Sequence, residues 1–176
     1  MTAVRTVMIT GATSGLGLAM ARSFAKVGNW RLVLAVRDLD AGTAVCRELG
    51  PKARAVHVDM ADARSVADLA SAWTGPLHAL VNNAGGQFHG PTAYSPQAVE
   101  RTLALNALGP LQLTLGLLHA LRWGTVLNIG SGTHNPHDRG ARMFGFRGGR
   151  FSSIARLAAG EADAQSGRRA ALDRYA

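Results

Sequence analysis

The chain has 176 residues, enough for one domain with a core of its own, and its 47% hydrophobic and 17% charged content is that of an ordinary globular protein. A single cysteine, Cys46, excludes an internal disulfide and is compatible with a reducing compartment. The formal net charge of +8 comes from arginine, since Lys26 and Lys52 are the only lysines. The N-terminus shows no basic region followed by an apolar run, so no secretory signal is expected.

Val4 to Ile9 is mostly apolar and predicts a first buried strand. Thr10-Gly11-Ala12-Thr13-Ser14-Gly15-Leu16-Gly17 follows it, and Leu18 to Val27 predicts a helix ended by Gly28-Asn29. Leu32 to Val36 is a second strand, stopping at Arg37-Asp38. Asp40 is the expected N-cap of a helix running to Leu49, closed by Gly50-Pro51. Ala53 to Val58 is a third strand, ending at Asp59 and Met60, and Asp62 to Trp73 is a helix. Leu77 to Val81 is a fourth strand, ending in Asn82-Asn83-Ala84-Gly85-Gly86.

Ser95 is expected to cap a long helix with Pro96 at its first position, running to about Arg122 and kinked at Gly109-Pro110. Its apolar stretch, Leu103 to Leu121, is interrupted by Asn106, Pro110, Gln112 and His119, which suits a buried helix and not a membrane span. Thr125 to Ile129 is a fifth strand, before Gly130-Ser131-Gly132. Beyond it, 132–174 shows no clear period apart from a short helical stretch at Ile154 to Ala164.

Strands alternating with helices predict an α/β fold, a parallel sheet covered on both faces. In such sheets ligands sit outside the carboxyl ends of the strands. The glycines and polar residues fall at those ends. The turn after the first strand combines glycines, which let a ligand approach bare main chain, with a helix N-terminus, which favours anions. The turn is therefore expected to hold a dinucleotide pyrophosphate through Gly11, Thr13, Ser14, Gly15, Leu16 and Gly17. Met20 stands where a strict G-x-G-x-x-G would have its third glycine, and Leu16 rules out a P-loop. Arg37 lies 20 residues past Gly17, where such folds place the ribose-reading residue. An arginine there pairs with a 2′-phosphate, so NADP(H) is expected over NAD(H). Asp59 is a candidate acceptor for the adenine amino group, with Met60 beside it, and Asn83-Ala84-Gly85 offers amides and small side chains beside a flat ring. No metal-ligand set is expected.

Thr10 to Gly17, Asp59, Asn82-Asn83-Ala84-Gly85, Asn106 in Leu105-Asn106-Ala107-Leu108-Gly109, and Ser131 in Asn128-Ile129-Gly130-Ser131-Gly132 together resemble the short-chain dehydrogenase/reductase family, in order and in spacing. The resemblance implies a Rossmann-type doubly wound sheet and hydride transfer between nicotinamide and a carbonyl or alcohol substrate. It also implies catalytic roles for Asn106, Ser131 and a tyrosine followed by a lysine. Tyr175 is assigned as that tyrosine, although it lies 44 residues after Ser131. The long gap is similar to the retinol dehydrogenase and protochlorophyllide reductase branch. In the family, the serine binds the substrate oxygen, the asparagine holds a water in a proton relay, and the lysine lowers the tyrosine's pKa from about 10.

The chain ends one residue after Tyr175, so the lysine position falls beyond Ala176. The chain is accordingly expected to be a C-terminally truncated member with negligible turnover of its own. Residues 1–176 are read as a single cytoplasmic NAD(P)-binding domain, and the full-length form as a possible homodimer or tetramer. Two other readings follow from the same residues: a non-catalytic NADP-binding protein of this fold, and a basic nucleic-acid-binding module using the eight arginines between Arg139 and Arg174.

Overall fold

A computed structural model describes residues 4–88 and 91–130. Five strands form one parallel sheet in the order β3-β2-β1-β4-β5: β1 (Arg5–Thr10), β2 (Trp30–Val36), β3 (Ala53–His57), β4 (Ala79–Asn82) and β5 (Thr125–Asn128). This is the doubly wound order, with the chain reversing direction across the sheet beside β1. The Rossmann-type architecture expected from the sequence is present.

The pleat explains how a continuous apolar run serves two cores. Val7 and Ile9 of β1 point to one face, joined by Leu32, Leu34, Val36, Val81 and Ala21. Met8 points to the other, joined by Val33, Ala35, Leu80, Val66, Leu113 and Leu117. The first face is covered by α1 (Gly15–Val27) and α2 (Leu39–Leu49), the second by α3 (Ala63–Ser71) and the α5 segment (Gly109–Gly116). Leu113 and Leu117 are fully buried, and each contributes about 2 kcal/mol of burial. β5 differs from its neighbours. It pairs with β4 alone, and Leu127 and Ile129 stay 47% and 38% exposed among the described residues.

Three local expectations are corrected. Asp38, and not Asp40, caps α2: its Oδ1 accepts from Ala41 N at 3.0 Å, the reach of an N-cap, while Asp40 lies inside the first turn. Ser95 closes a tight turn, its Oγ accepting from Gln97 N and Val99 N. Glu100 caps the helix that follows, accepting from Thr102 N and Leu103 N. That helix runs as α4 (Arg101–Leu103), a π turn (Ala104–Leu108) and α5, so the irregularity expected at Gly109-Pro110 is a widened turn just before it. Pro110 has no N–H to donate, and Gly109 packs against the Met60 carbonyl so closely that a Cβ would collide with it.

Candidate nucleotide-binding site

The carboxyl ends of β1, β2, β3 and β4 bring Gly11 to Gly17, Arg37, Asp59 and Asn83 to Gly85 to one edge of the sheet. Thr10 ties two of these loops together. Its side chain is fully buried, and its Oγ1 accepts from the amides of Asn83 and Ala84, both at 2.9 Å. Asn83 answers by donating from Nδ2 to the carbonyls of Thr10 and Gly11, at 2.9 and 3.2 Å. The two loops touch closely enough that side chains are excluded. A Cβ on Gly11 (φ +65°) would lie 2.9 Å from Ala84 Cα, and one on Gly17 would lie 2.5 Å from Asn83 Nδ2.

The N-terminus of α1 faces open space. Gly15 (φ +53°) has nothing within 4 Å of where its Cβ would be. Ser14 occupies the N-cap position in extended backbone, yet its side chain makes no capping bond and the first turn carries no acidic residue. The first-turn amides therefore keep their donors, and the helix dipole places a partial positive charge there. An anion with several oxygens would find these donors free.

At the end of β2, Arg37 is exposed and makes no ion pair among the described residues. Its neighbour Asp38 is occupied by the cap of α2. Asp59 is half-buried. Its Oδ1 accepts from Ala61 N and its own amide donates to Ser65 Oγ, which fixes the loop and leaves Oδ2 without a partner among the described residues. Met60 is only 3% exposed and belongs to the core, so a ligand would meet it through its main chain.

Asn106 sits in the π turn, and its amide is largely committed. Nδ2 donates to the carbonyls of Gly86 (2.7 Å) and Thr102 (2.9 Å), and Oδ1 accepts from Gly86 N at 3.0 Å. The pair of bonds with Gly86 clamps the loop after β4 to the helix. A water would find one lone pair of Oδ1 still open. Ser131 and Tyr175 lie outside the described residues, as does the 132–174 segment with the arginines between Arg139 and Arg174.

Sequence reasoning quoted Thr10 as the first residue of the glycine turn but gave it no role, and it did not single out Ser65 at all. Each works through a hydroxyl that becomes a loop tie only once two strand ends meet.

An uncapped helix behind a glycine turn, on the switch of a 3-2-1-4-5 parallel sheet, defines a dinucleotide-binding α/β protein. The comparisons narrow the class. The profile of the family described as short chain dehydrogenase matches residues 5–141, and the chain belongs to that family. It is 37% identical over 145 residues to a polyprenol dehydrogenase of Mus musculus, covering 74% of this chain and 43% of that one. It is 36% identical over 126 residues to a protochlorophyllide reductase of Avena sativa, covering 66% and 40%, in keeping with the branch that the sequence resembles. The chain thus spans about two fifths of the length of these curated relatives. A crystal structure of 3-ketoacyl-(acyl-carrier-protein) reductase from Brucella melitensis, complexed with NADH, matches with a TM-score of 0.63 and 30% identity, covering 75% of this chain and 59% of that one.

Proposed function

We propose that this chain is the cofactor-binding part of an NADP(H)-dependent oxidoreductase acting on a carbonyl or alcohol substrate. The observation that carries the reading is the α1 N-terminus: glycines at positive φ, an N-cap serine with a free hydroxyl, and no acidic residue in the first turn. The amides of Gly15, Leu16 and Gly17, with Thr13 and Ser14, hold the pyrophosphate. Asp59 and the main chain of Met60 meet the adenine, and Asn83, Ala84 and Gly85 line the next part of the groove.

Preference for NADP(H) over NAD(H) is supported by the division of labour at the end of β2. The Asp38 carboxylate is bound by α2, which leaves Arg37 as the free charge for a 2′-phosphate. When bound, the nicotinamide supplies or accepts the hydride. Tyr175 protonates the carbonyl oxygen or deprotonates the alcohol, and Ser131 donates a hydrogen bond to that oxygen as charge develops. Asn106 holds the Gly86 loop and offers Oδ1 to a water in the proton path. Cytoplasmic location and assembly of the full-length form as a homodimer or tetramer belong to the same proposal.

Calorimetric titration of the purified chain with NADPH and NADH tests the cofactor assignment. NADPH is expected to bind more tightly, and Arg37→Ala to weaken NADPH about ten- to hundredfold, the worth of a charge-assisted bond, while leaving NADH unchanged. Equal losses for both nucleotides would remove Arg37 from the 2′-phosphate.

A further inference from the structure

The opposite edge of the sheet, where the strands begin, has a chemistry that cofactor binding does not use. All three tryptophans lie there: Trp30 opens β2, Trp73 follows α3, and Trp123 precedes β5. Two are committed to the fold. Trp73 is buried and donates from Nε1 to the Gly75 carbonyl, and Trp30 stacks edge-on against Phe24, with the Arg5 guanidinium 4.6 Å from its ring.

Trp123 is not committed. Its relative exposure is 104%, and its backbone is left-handed at φ +66°, a conformation unfavourable for a bulky residue. The ladder aligns it with this edge. Thr125 pairs with Ala79, Ala79 with Val7, and Arg5 with Trp30, so Trp123, two residues before β5, lies at the same end of the sheet as Arg5 and Trp30.

The edge of the sheet that carries Trp123 is cationic along its length. Arg122 precedes Trp123, Arg5 opens β1, Lys26 is in the last turn of α1, and Lys52 precedes β3, all exposed. Lys52 donates to the Gly28 carbonyl at 2.6 Å and keeps its charge unpaired by any carboxylate among the described residues. Val27, 65% exposed, adds an apolar group. Of the two carboxylates in the last turns of α2 and α3, Glu48 is already paired with Arg22, leaving Asp68. An exposed indole on a sheet edge that also carries exposed lysine and arginine matches the boundary of an anionic bilayer, where the ring sits among headgroups and the cations meet phosphates.

We propose that this edge docks peripherally on an anionic lipid surface, with Trp123 inserted at headgroup level and Arg5, Lys26, Lys52 and Arg122 facing the phosphates. The docked protein then presents its nucleotide edge to water, so cofactor exchange and membrane contact do not compete. The proposal is independent of the cofactor assignment, and its readout needs no nucleotide.

The test is co-sedimentation of the 176-residue chain with phosphatidylcholine vesicles, with and without phosphatidylglycerol, alongside tryptophan emission. Binding is expected only with phosphatidylglycerol, with a blue shift in emission and loss at high salt. Trp123→Gly keeps the left-handed backbone at no steric cost, so its melting temperature should not fall. It should abolish the shift and weaken binding about tenfold or more. Arg122→Gln and Lys26→Gln should each weaken binding about fivefold. Absence of binding, equal binding to neutral vesicles, or unchanged binding by folded Trp123→Gly would overturn the proposal. So would retention on duplex DNA with unaltered Trp123 emission, which would assign the cationic edge to nucleic acid.

Discussion

Helices α1 and α2 follow neighbouring strands of one sheet and enter their first turns from the same edge, yet they begin in opposite ways. Asp38 caps α2, with Asp40 in its first turn, and Asp62 caps α3 in the same manner. α1 has Ser14 with no capping bond and no acid. The fold therefore accommodates a carboxylate cap at this edge and uses one twice. Leaving α1 open forgoes about 1 kcal/mol of helix stability, and the free donors are what an anion would use. The α1 corner is instead held from behind, by the buried Thr10 hydroxyl and the Asn83 amide.

Substitutions can break this contrast, the strongest at the tie itself. Thr10→Val is nearly isosteric but leaves two part-buried amides without an acceptor. It should cost about 2–4 kcal/mol in urea unfolding and loosen the loop after β4. Gly17→Ala places a methyl group against Asn83 Nδ2 and the Gly11 carbonyl. A loss of about 1–3 kcal/mol is expected, with NADPH binding abolished in calorimetry.

Ser14→Asp converts α1 into a helix like α2. It should raise stability by about 1 kcal/mol while weakening NADPH at least about tenfold, because the new carboxylate occupies the donors and repels phosphate. A variant that gained stability and kept its affinity would remove the pyrophosphate from this cap.

A weaker effect is expected at α3. Gln97 Nε2 and the Arg64 amide hold the Asp62 carboxyl below the usual carboxylate range. Because the folded-state value is depressed, the stabilisation is present above the ordinary carboxylate pKa and is lost as pH falls through the lowered one. Thermal melts over acidic pH should show a shallower decline in Asp62→Asn than in the parent chain. The smallest change is expected for Arg22→Gln, which breaks an exposed pair with Glu48 and should move the melting midpoint least of the five.

Much of the α1 corner was legible in the sequence, because a buried strand, a glycine turn and a helix each leave a local pattern. The caps were less so. Asp38 and Asp40 are chemically alike and two positions apart, and the choice between them rests on which one has extended backbone at the helix entrance. Ser95-Pro96 carries every local mark of a helix start, but Glu100 wins because the chain first turns back on itself, with Tyr94 bridging Glu100. The π turn at Ala104–Leu108 was visible only as a glycine-proline pair. Its form depends on how closely Gly109 must approach Met60, a contact that joins distant parts of the chain. At the candidate site, the glycines, Arg37 and Asp59 announced themselves by position. The Asn106 clamp on Gly86 did not, since an amide's partners are decided by packing.

The exposed flank of β5 bears on how the protein is made. β5 is the last of the five strands among the described residues, and it begins at Thr125, 43 positions after its partner β4 ends at Asn82. Parallel pairings at such separation form slowly. During synthesis β4 must wait for β5 with its own edge bare, and β5 in turn offers Leu127 and Ile129 to whatever strand arrives first. The order in which this edge is occupied sets the interval in which a nascent chain can pair with the wrong neighbour.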